Sequence, residues 1–288
     1  MRSPADMDLI QIEITNKCTR TCANCTRLIG HHKEPFFMTL EQIETAIKSL
    51  DGFEGNIGLM GGEPTLHPQF TEVLKIYRKL IPEKKRRQFW TSGYKWEEYK
   101  KDIERTFLPI NISYNDHSKK VPGWHQPLLV AIEEVVEDPK LRWGFIDNCW
   151  VQNRWSASIT PKGAFFCEVA AAHAHLSPKL GEGIPVVPGW WKGKGICETQ
   201  KFICNKCSGC LPLPGIYENH GNEDLVSPGN YAKLYPSNKL MTVANIALCE
   251  AHIEGRSAEA GDEPGSLRDF PDWQPWRYRN EIHHGPKK

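Results

Sequence analysis

Three thiols fall within eight residues in "CTRTCANC", residues 18–25. Spacings of four and then three admit two readings. On a helix, positions i, i+4 and i+7 share one face, which gives three small buried side chains. On a loop, the same sulfurs can close around one metal centre. The segment just upstream, "LIQIEIT" (9–15), alternates apolar and polar positions with β-branched residues and predicts a strand. In a parallel α/β barrel the loops at the C-terminal strand ends carry the active site, so a loop here suits a metal centre better than it suits three inert core residues. The next predicted strand, "NIGLM" (56–60), runs into "GGEPTLHP" (61–68), where Gly61 and Gly62 let backbone approach a ligand closely.

The elements that position these residues alternate along the first half. "TLEQIETAIKSL" (39–50) has helical periodicity with a capping box from Thr39 and Gln42, and "FTEVLKIYRKLI" (70–81) is an amphipathic helix. "QFWTSG" (88–93) and "PINISYN" (109–115) predict further strands, "PLLVAIEEVVE" (127–137) a helix and "LRWGFI" (141–146) a last strand. This alternation predicts parallel strands with helices outside, a partial (β/α)6 TIM-type barrel. Near residue 147 the pattern changes: Gly and Pro become frequent and cysteines return. "SASITPKGAFFCE" (156–168) predicts a hairpin about a Pro-Lys-Gly turn. The expected organisation is a core over 1–146, a cysteine-rich domain over 147–255 and an extended tail over 256–288, with Trp273, Trp276, Arg277 and Tyr278 as aromatic and basic anchors.

The 288 residues hold 36 Lys plus Arg against 35 Asp plus Glu, so no global field draws the chain to nucleic acid or an anionic membrane. No apolar run approaches the roughly 18 residues of a membrane span, and "MRSPADMDLI" lacks the apolar stretch of a secretory signal. A cytoplasmic location is expected, where thiols stay reduced. Ten cysteines in that compartment read as metal ligands more readily than as disulfides. The basic run "EKKRRQFW" (83–90) precedes the third strand, on the face opposite the chemistry, and reads as a solvated helix end.

Cys18-x3-Cys22-x2-Cys25 after the first strand and Gly61-Gly62-Glu63-Pro64 after the second resemble, in order and register, the radical S-adenosylmethionine (radical SAM) superfamily. The likeness covers roughly residues 8–146 and includes "TSG" (91–93) after the third strand. It implies a [4Fe–4S] cluster on the three cysteines, with the open iron chelating S-adenosylmethionine, whose cleavage yields a 5′-deoxyadenosyl radical. It also implies that Glu63 and the Gly61–Gly62 backbone meet the amino group of the cofactor, in the turn that Pro64 completes. Ser92 and Gly93 then lie near the ribose, and Ser113 and Asn115 meet the carboxylate or ribose. Asn24 departs from the family, which usually has an aromatic residue there beside the adenine; its backbone remains available for contacts. A structural zinc site is the other metal reading. It needs a fourth ligand such as His31 or His32 and leaves the GGEP turn unexplained. His67, inside that turn, reads as a packing residue.

Seven cysteines remain: Cys149, Cys167, Cys197, Cys204, Cys207, Cys210 and Cys249. Cys149, then Cys167 after a hairpin, then a Cys-x2-Cys pair resembles the twitch and SPASM domains, which hold one or two auxiliary iron–sulfur clusters. The resemblance implies one cluster on Cys149, Cys167 and two of Cys204, Cys207 and Cys210, and leaves open a second using Cys197 or Cys249. A zinc ribbon is the structural alternative. For proton work the candidates are Glu168, Asp116 and His117, and Cys249 is a candidate hydrogen-atom donor.

The expected function is hydrogen-atom abstraction by a radical SAM enzyme. Oxidation of a small polar metabolite, such as a sugar or aminocyclitol, is favoured because an auxiliary cluster can accept the second electron. The alternatives are radical modification, epimerisation or rearrangement of a peptide, nucleoside or nucleic acid substrate, and a non-catalytic zinc-stabilised binding protein. The first strand starts near residue 9, so no leader-binding domain is expected before it. A reductant such as flavodoxin or ferredoxin is the expected partner, with no membrane.

Overall fold

Strand β1 (Leu9–Glu13) is buried at every position, as a central strand of a sheet covered on both faces must be. Ile10 and Ile12 lie wholly within the main apolar core, and Gln11 and Glu13 alternate onto the opposite face, buried as well. The structure, a computed structural model, describes residues 1–115, 124–193, 195–213, 216–217 and 223–260.

β2 (Asn56–Met60), β3 (Arg87–Thr91) and β4 (Ile112–Tyr114) follow, joined by helices α1 (Leu40–Ser49), α2 (Phe70–Leu80) and α3 (Trp96–Thr106). α1 starts at the predicted capping box: Gln42 N–H donates to Thr39 Oγ1 at 3.1 Å and Thr39 N–H to Gln42 Oε1 at 2.9 Å. α2 turns Phe70, Val73, Leu74 and Tyr77 inward at helical spacing. Of the basic run, Lys85 is exposed as expected, while Arg87 is built into the fold. Arg87 is buried and donates to the carbonyls of Ile81 at 2.7 Å and Thr106 at 3.0 Å, so one guanidinium serves the C-terminal ends of α2 and α3.

After β4 come the two-residue strand β5 (Trp124–His125) and helices α4 (Ile132–Val135), α5 (Pro139–Asp147) and α6 (Trp150–Arg154). The hairpin β6 (Ala157–Thr160) and β7 (Gly163–Phe165) then leads into α7 (Glu168–Leu176). The main sheet has six strands in the order β4-β3-β2-β1-β6-β7. The first five run parallel, with Ile10 opposite Ile57 on one side and Ala157 on the other, and β7 returns antiparallel to β6.

The architecture is thus α/β with a parallel sheet, and the described strands depart from the six expected parallel ones for identifiable reasons. Residues 141–146 form helix, not strand. Asp138 caps α5 by accepting the Lys140 and Leu141 N–H groups, and Pro139 occupies the first turn. Residues 127–137 are helical only over α4. Leu128, Leu129, Val130 and Ala131 are buried without a polar face, and they lie outside any helix. The sheet also crosses the expected boundary at residue 146, because the hairpin placed in the second domain pairs with β1.

The stretch 126–131 is held by the cysteine-bearing turn on one side and a later strand on the other. Gln126 Nε2 donates to the Ser208 and Leu211 carbonyls at 2.7 and 2.6 Å. Leu129 bridges Val226 in β9 (Asp224–Val226), which pairs with β10 (Met241–Val243); β8 (Ile216–Tyr217) pairs with β5. Helices α8 (Gly195–Gln200), α9 (Pro228–Leu234) and α10 (Ile246–Ala260) complete the described chain. Among the described residues no helix is long and apolar enough to cross a membrane.

Candidate functional site

The loop after β1 and the turn after β2 are locked together by backbone. Gly62 N–H donates to Thr15 O and Glu63 N–H to Lys17 O, each at 2.8 Å. A Cβ on Gly61 would stand 2.3 Å from Thr15 O, and one on Gly62 would stand 2.4 Å from Lys17 O. These glycines therefore admit the neighbouring chain, in addition to any ligand, and set the GGEP turn against the start of the cysteine loop. Cys18, Cys22 and Cys25 are partly exposed. Burial pushes the Cys18 thiol up to about 11, against the Arg20 amide that favours its ionised form, and Cys25 and Glu63 add to the rise.

Glu63 is fully buried and its carboxylate is filled with protein donors. Oε1 accepts from Thr65 N–H (3.2 Å), Thr65 Oγ1 (2.7 Å) and Thr91 Oγ1 (2.9 Å), and Oε2 accepts from Ser92 N–H and Ser92 Oγ, both at 2.7 Å. It stitches the turn after β2 to the turn after β3. Pro64 opens the short helical turn that carries Thr65. His67 donates from Nε2 to Met38 O at 2.8 Å, the packing role expected of it. Gly93, at φ 83, lies where a Cβ would meet the Tyr114 ring at 2.2 Å. Asn115 N–H donates to Thr91 O at 2.9 Å. Ser113 Oγ, in the middle of β4, is buried and has no hydrogen-bond partner among the described residues.

Inside the sheet, below the cysteine loop, lies a charged group that sequence reading missed. Arg27 is 3% exposed and sits 2.8 Å from Glu168 Oε1 and 3.4 Å from Glu13 Oε1, with Gln11 against its Nη2. Ser158 Oγ donates to Glu13 at 2.6 Å and Ser156 Oγ to Glu168 at 2.7 Å. Burial pushes the Glu13 carboxyl up, while Glu13 and Glu168 together raise Arg27 above its ordinary value despite burial. Glu168, a candidate proton carrier, is thus fully buried in an ion pair. The alternation of Gln11 and Glu13 with Ile10 and Ile12 was the available signal: polar residues recurred on one face of a central strand.

The second cysteine group shares one cavity. Cys149, Cys167, Cys204, Cys207 and Cys210 line one cavity of about 380 Å³, counting its open mouth, with walls from Ile146, Val151, Phe166 and Ile203. Burial pushes all five thiols up, Cys207 to about 12. Burial thus favours the neutral thiol over the thiolate at each of them. Ser158 pairs with Phe165, so Cys167 lies level with Ser156, towards the N-terminal end of β1 and one strand length from the loop of Cys18. Cys197 and Cys249, on α8 and α10, are buried and do not line this cavity. Asp116, His117 and the tail anchors lie outside the described residues.

The metal alternatives meet the same geometry. Among the described residues no three His, Cys, Asp or Glu side chains converge on the position of a single ion. His31 is bonded to Asp224 and Ser237, and His32 to Arg27 O. Five sulfurs around an apolar cavity suit a multi-iron cluster, which takes thiolate ligands. The three thiols of the first loop are the ligand type an iron–sulfur cluster takes, and the turns after β2 and β3 lie beside each other at the same end of the sheet. Both Glu63 carboxylate oxygens already accept from protein donors, so a cofactor amino group would join an existing hydrogen-bond network there. Asn24, expected to offer backbone, directs its N–H to Asp224 Oδ1 at 2.5 Å.

Residues 12–125 match the model described as the radical SAM superfamily, a family that implies a [4Fe–4S] cluster and S-adenosylmethionine. The matched segment includes Cys18, Cys22, Cys25 and Gly61–Pro64 and stops before Cys149. No curated protein matches the chain. Among solved structures, the chain is similar to BtrN in complex with AdoMet and 2-DOIA at 15% identity and a TM-score of 0.46, covering 69% of this chain and 88% of that one. It is similar to BtrN in an open conformation at 17% identity and a TM-score of 0.44, covering 72% and 90%.

Proposed function

We propose that the chain is a radical SAM enzyme carrying a second, auxiliary iron–sulfur cluster, and that it oxidises a small polar metabolite at an alcohol carbon of the sugar or aminocyclitol kind. The observation that carries the reading is the pairing of two sulfur sites in one α/β body. Cys18, Cys22 and Cys25 sit on the loop after β1, against the GGEP turn, and the five-cysteine cavity lies one strand length away. When bound, the first cluster and S-adenosylmethionine would supply a carbon-centred radical able to abstract hydrogen. Three thiols leave one iron of a cube without a protein ligand.

The chain's own residues do the positioning. Glu63 fixes the turns after β2 and β3 relative to each other, Gly61 and Gly62 bring the first of these turns against the cysteine loop, and apolar side chains wall the cavity around Cys149 and Cys204. A second cluster inside the same body gives a place for the electron released when a substrate radical is oxidised, which favours net dehydrogenation over a redox-neutral outcome.

Anaerobic purification tests the metal content: iron with acid-labile sulfide is expected, and colourless protein with zinc would refute the reading. S-adenosylmethionine deuterated at the 5′ carbon, incubated with a metabolite panel, tests the substrate class. Product or label exchange in a polyol is expected, and 5′-deoxyadenosine formed faster with peptides or nucleosides would overturn that part.

A further inference from the structure

Between the second and third cysteines of the first loop, three consecutive backbone groups are held from outside the loop. Lys239 Nζ donates to Cys22 O at 2.5 Å, His125 Nδ1 bonds Ala23 O at 2.7 Å, and Asn24 N–H donates to Asp224 Oδ1 at 2.5 Å. The loop has no regular secondary structure, so these bonds, and not a helix or sheet ladder, hold its shape at that point. Two of the three come from residues some 200 positions downstream.

The downstream pair is itself fixed. Asp224 is completely buried, 2.8 Å from Lys239 Nζ and 2.7 Å from His31 Nε2, and His31 Nδ1 lies 2.8 Å from Ser237 Oγ. Its strand β9 is paired with β10 and bridged to Leu129. The Lys239 stem packs on Gly30, where a Cβ would come within 2.8 Å of it. Asn24 sits at φ 49, a left-handed conformation that asparagine tolerates and bulkier side chains disfavour, and its Oδ1 accepts from Leu225 N–H at 3.2 Å. The residue that departs from the aromatic expected at this position is the one that fastens the loop to β9.

We propose that Asp224 and Lys239 are positioning residues that latch the Cys18–Cys25 loop into its ligand-ready shape through the Cys22 carbonyl and the Asn24 amide. The latch makes the segment 223–239 part of the first cysteine site, although it lies beyond every cysteine of the second cavity. As an account of cluster binding it rests on the proposed function; as an account of loop conformation it does not.

The test is hydrogen–deuterium exchange of the peptide spanning residues 18–28 in the metal-free, full-length protein, comparing wild type with Asp224→Ala and Lys239→Met. Loss of a buried charge-assisted bond is expected to speed exchange there by about tenfold or more, with exchange in β2 and β3 unchanged. Asp224→Asn, which keeps an acceptor but not the charge, falls between the two. Lys239→Met retains the Asp224–His31 bond and decides the matter if Asp224→Ala does not fold. Exchange at the wild-type rate in folded variants overturns the latch. After anaerobic iron–sulfide loading, the variants are further expected to lose iron to a chelator faster than wild type and to show a broadened, altered electron paramagnetic resonance signal on adding S-adenosylmethionine. A wild type that takes up no iron would refute the proposed function and leave the exchange result to judge the latch alone.

Discussion

Arg27 and Glu168 meet at 2.8 Å with both side chains buried, and each lies close in sequence to a cysteine. Arg27 follows Cys25 by two residues and Glu168 follows Cys167 by one. The guanidinium therefore runs from the loop of the first sulfur site down to the segment of the second. Arg27→Met leaves Glu13 and Glu168 buried without their cation, and is expected to cost about 3–5 kcal/mol of stability. Arg27→Met combined with Glu168→Gln is expected to recover part of this loss. Urea unfolding of the single and double variants measures both, and equal stability of wild type and Arg27→Met would sink the assignment.

Glu63 accepts five hydrogen bonds from Thr65, Thr91 and Ser92. Glu63→Gln turns one acceptor into a donor facing other donors. It is expected to destabilise by about 2–3 kcal/mol, because at least one charge-assisted bond is lost and a buried donor is left unmatched. Ser92→Ala removes one of the five and is expected to cost about 1 kcal/mol. Thermal melts of both variants give the ranking, which reverses if Glu63 instead faces solvent or ligand.

Gly62→Ala brings a Cβ to 2.4 Å from Lys17 O, a backbone atom that no side-chain rotation can move, so the two loop segments must part. The expected result is loosening of the loop that carries Cys18, read as faster alkylation of Cys18 by iodoacetamide in the metal-free protein. Gly52→Ala, whose Cβ meets nothing within 4 Å although φ is 77, is the comparison for backbone strain without a clash. Unchanged Cys18 alkylation in Gly62→Ala would contradict the packing role.

Acid sensitivity follows from two histidines on α7. Burial depresses His173 to about 4 and His175 to about 3, the latter also repelled by His32 and Lys162. The unfolded chain binds protons near the ordinary histidine value while the folded one does not, so stability is full above about pH 6.5 and falls as pH drops toward the folded values. For His173 the loss at pH 5 is about 2 kcal/mol. Denaturant midpoints at pH 7 and pH 5 should therefore differ less in His173→Gln than in wild type; an equal difference refutes it.

What could be read from sequence was what short-range spacing encodes. The cysteine triplet, the GGEP turn, the Thr39–Gln42 box and the hairpin ahead of Cys167 are each written within a few residues. The helix at 139–147 was legible too, since Asp138 and Pro139 form a start signal, but the apolar run "LRWGFI" imitates a strand. The stretch 127–131 was misread because a segment buried on all sides carries no periodicity. Asp224 and Lys239 were beyond reach: their partners stand some 200 residues upstream, and nothing local marks them. Arg27 looked like any charged loop residue until the fold brought Gln11, Glu13 and Glu168 to it.

The hairpin that joins the main sheet works as a ruler. β6 and β1 share hydrogen-bonded register at Ile10–Ala157 and Ile12–Ile159, and Ser158–Phe165 fixes the return strand. The height of Cys167 relative to Cys18 is thus counted in pleats, about 3.3 Å per residue, and does not depend on a tether. Lengthening the tip around Lys162 would leave that height untouched, whereas slipping β6 by a single rung would reverse its faces and carry Cys167 out of reach of its four sulfur companions.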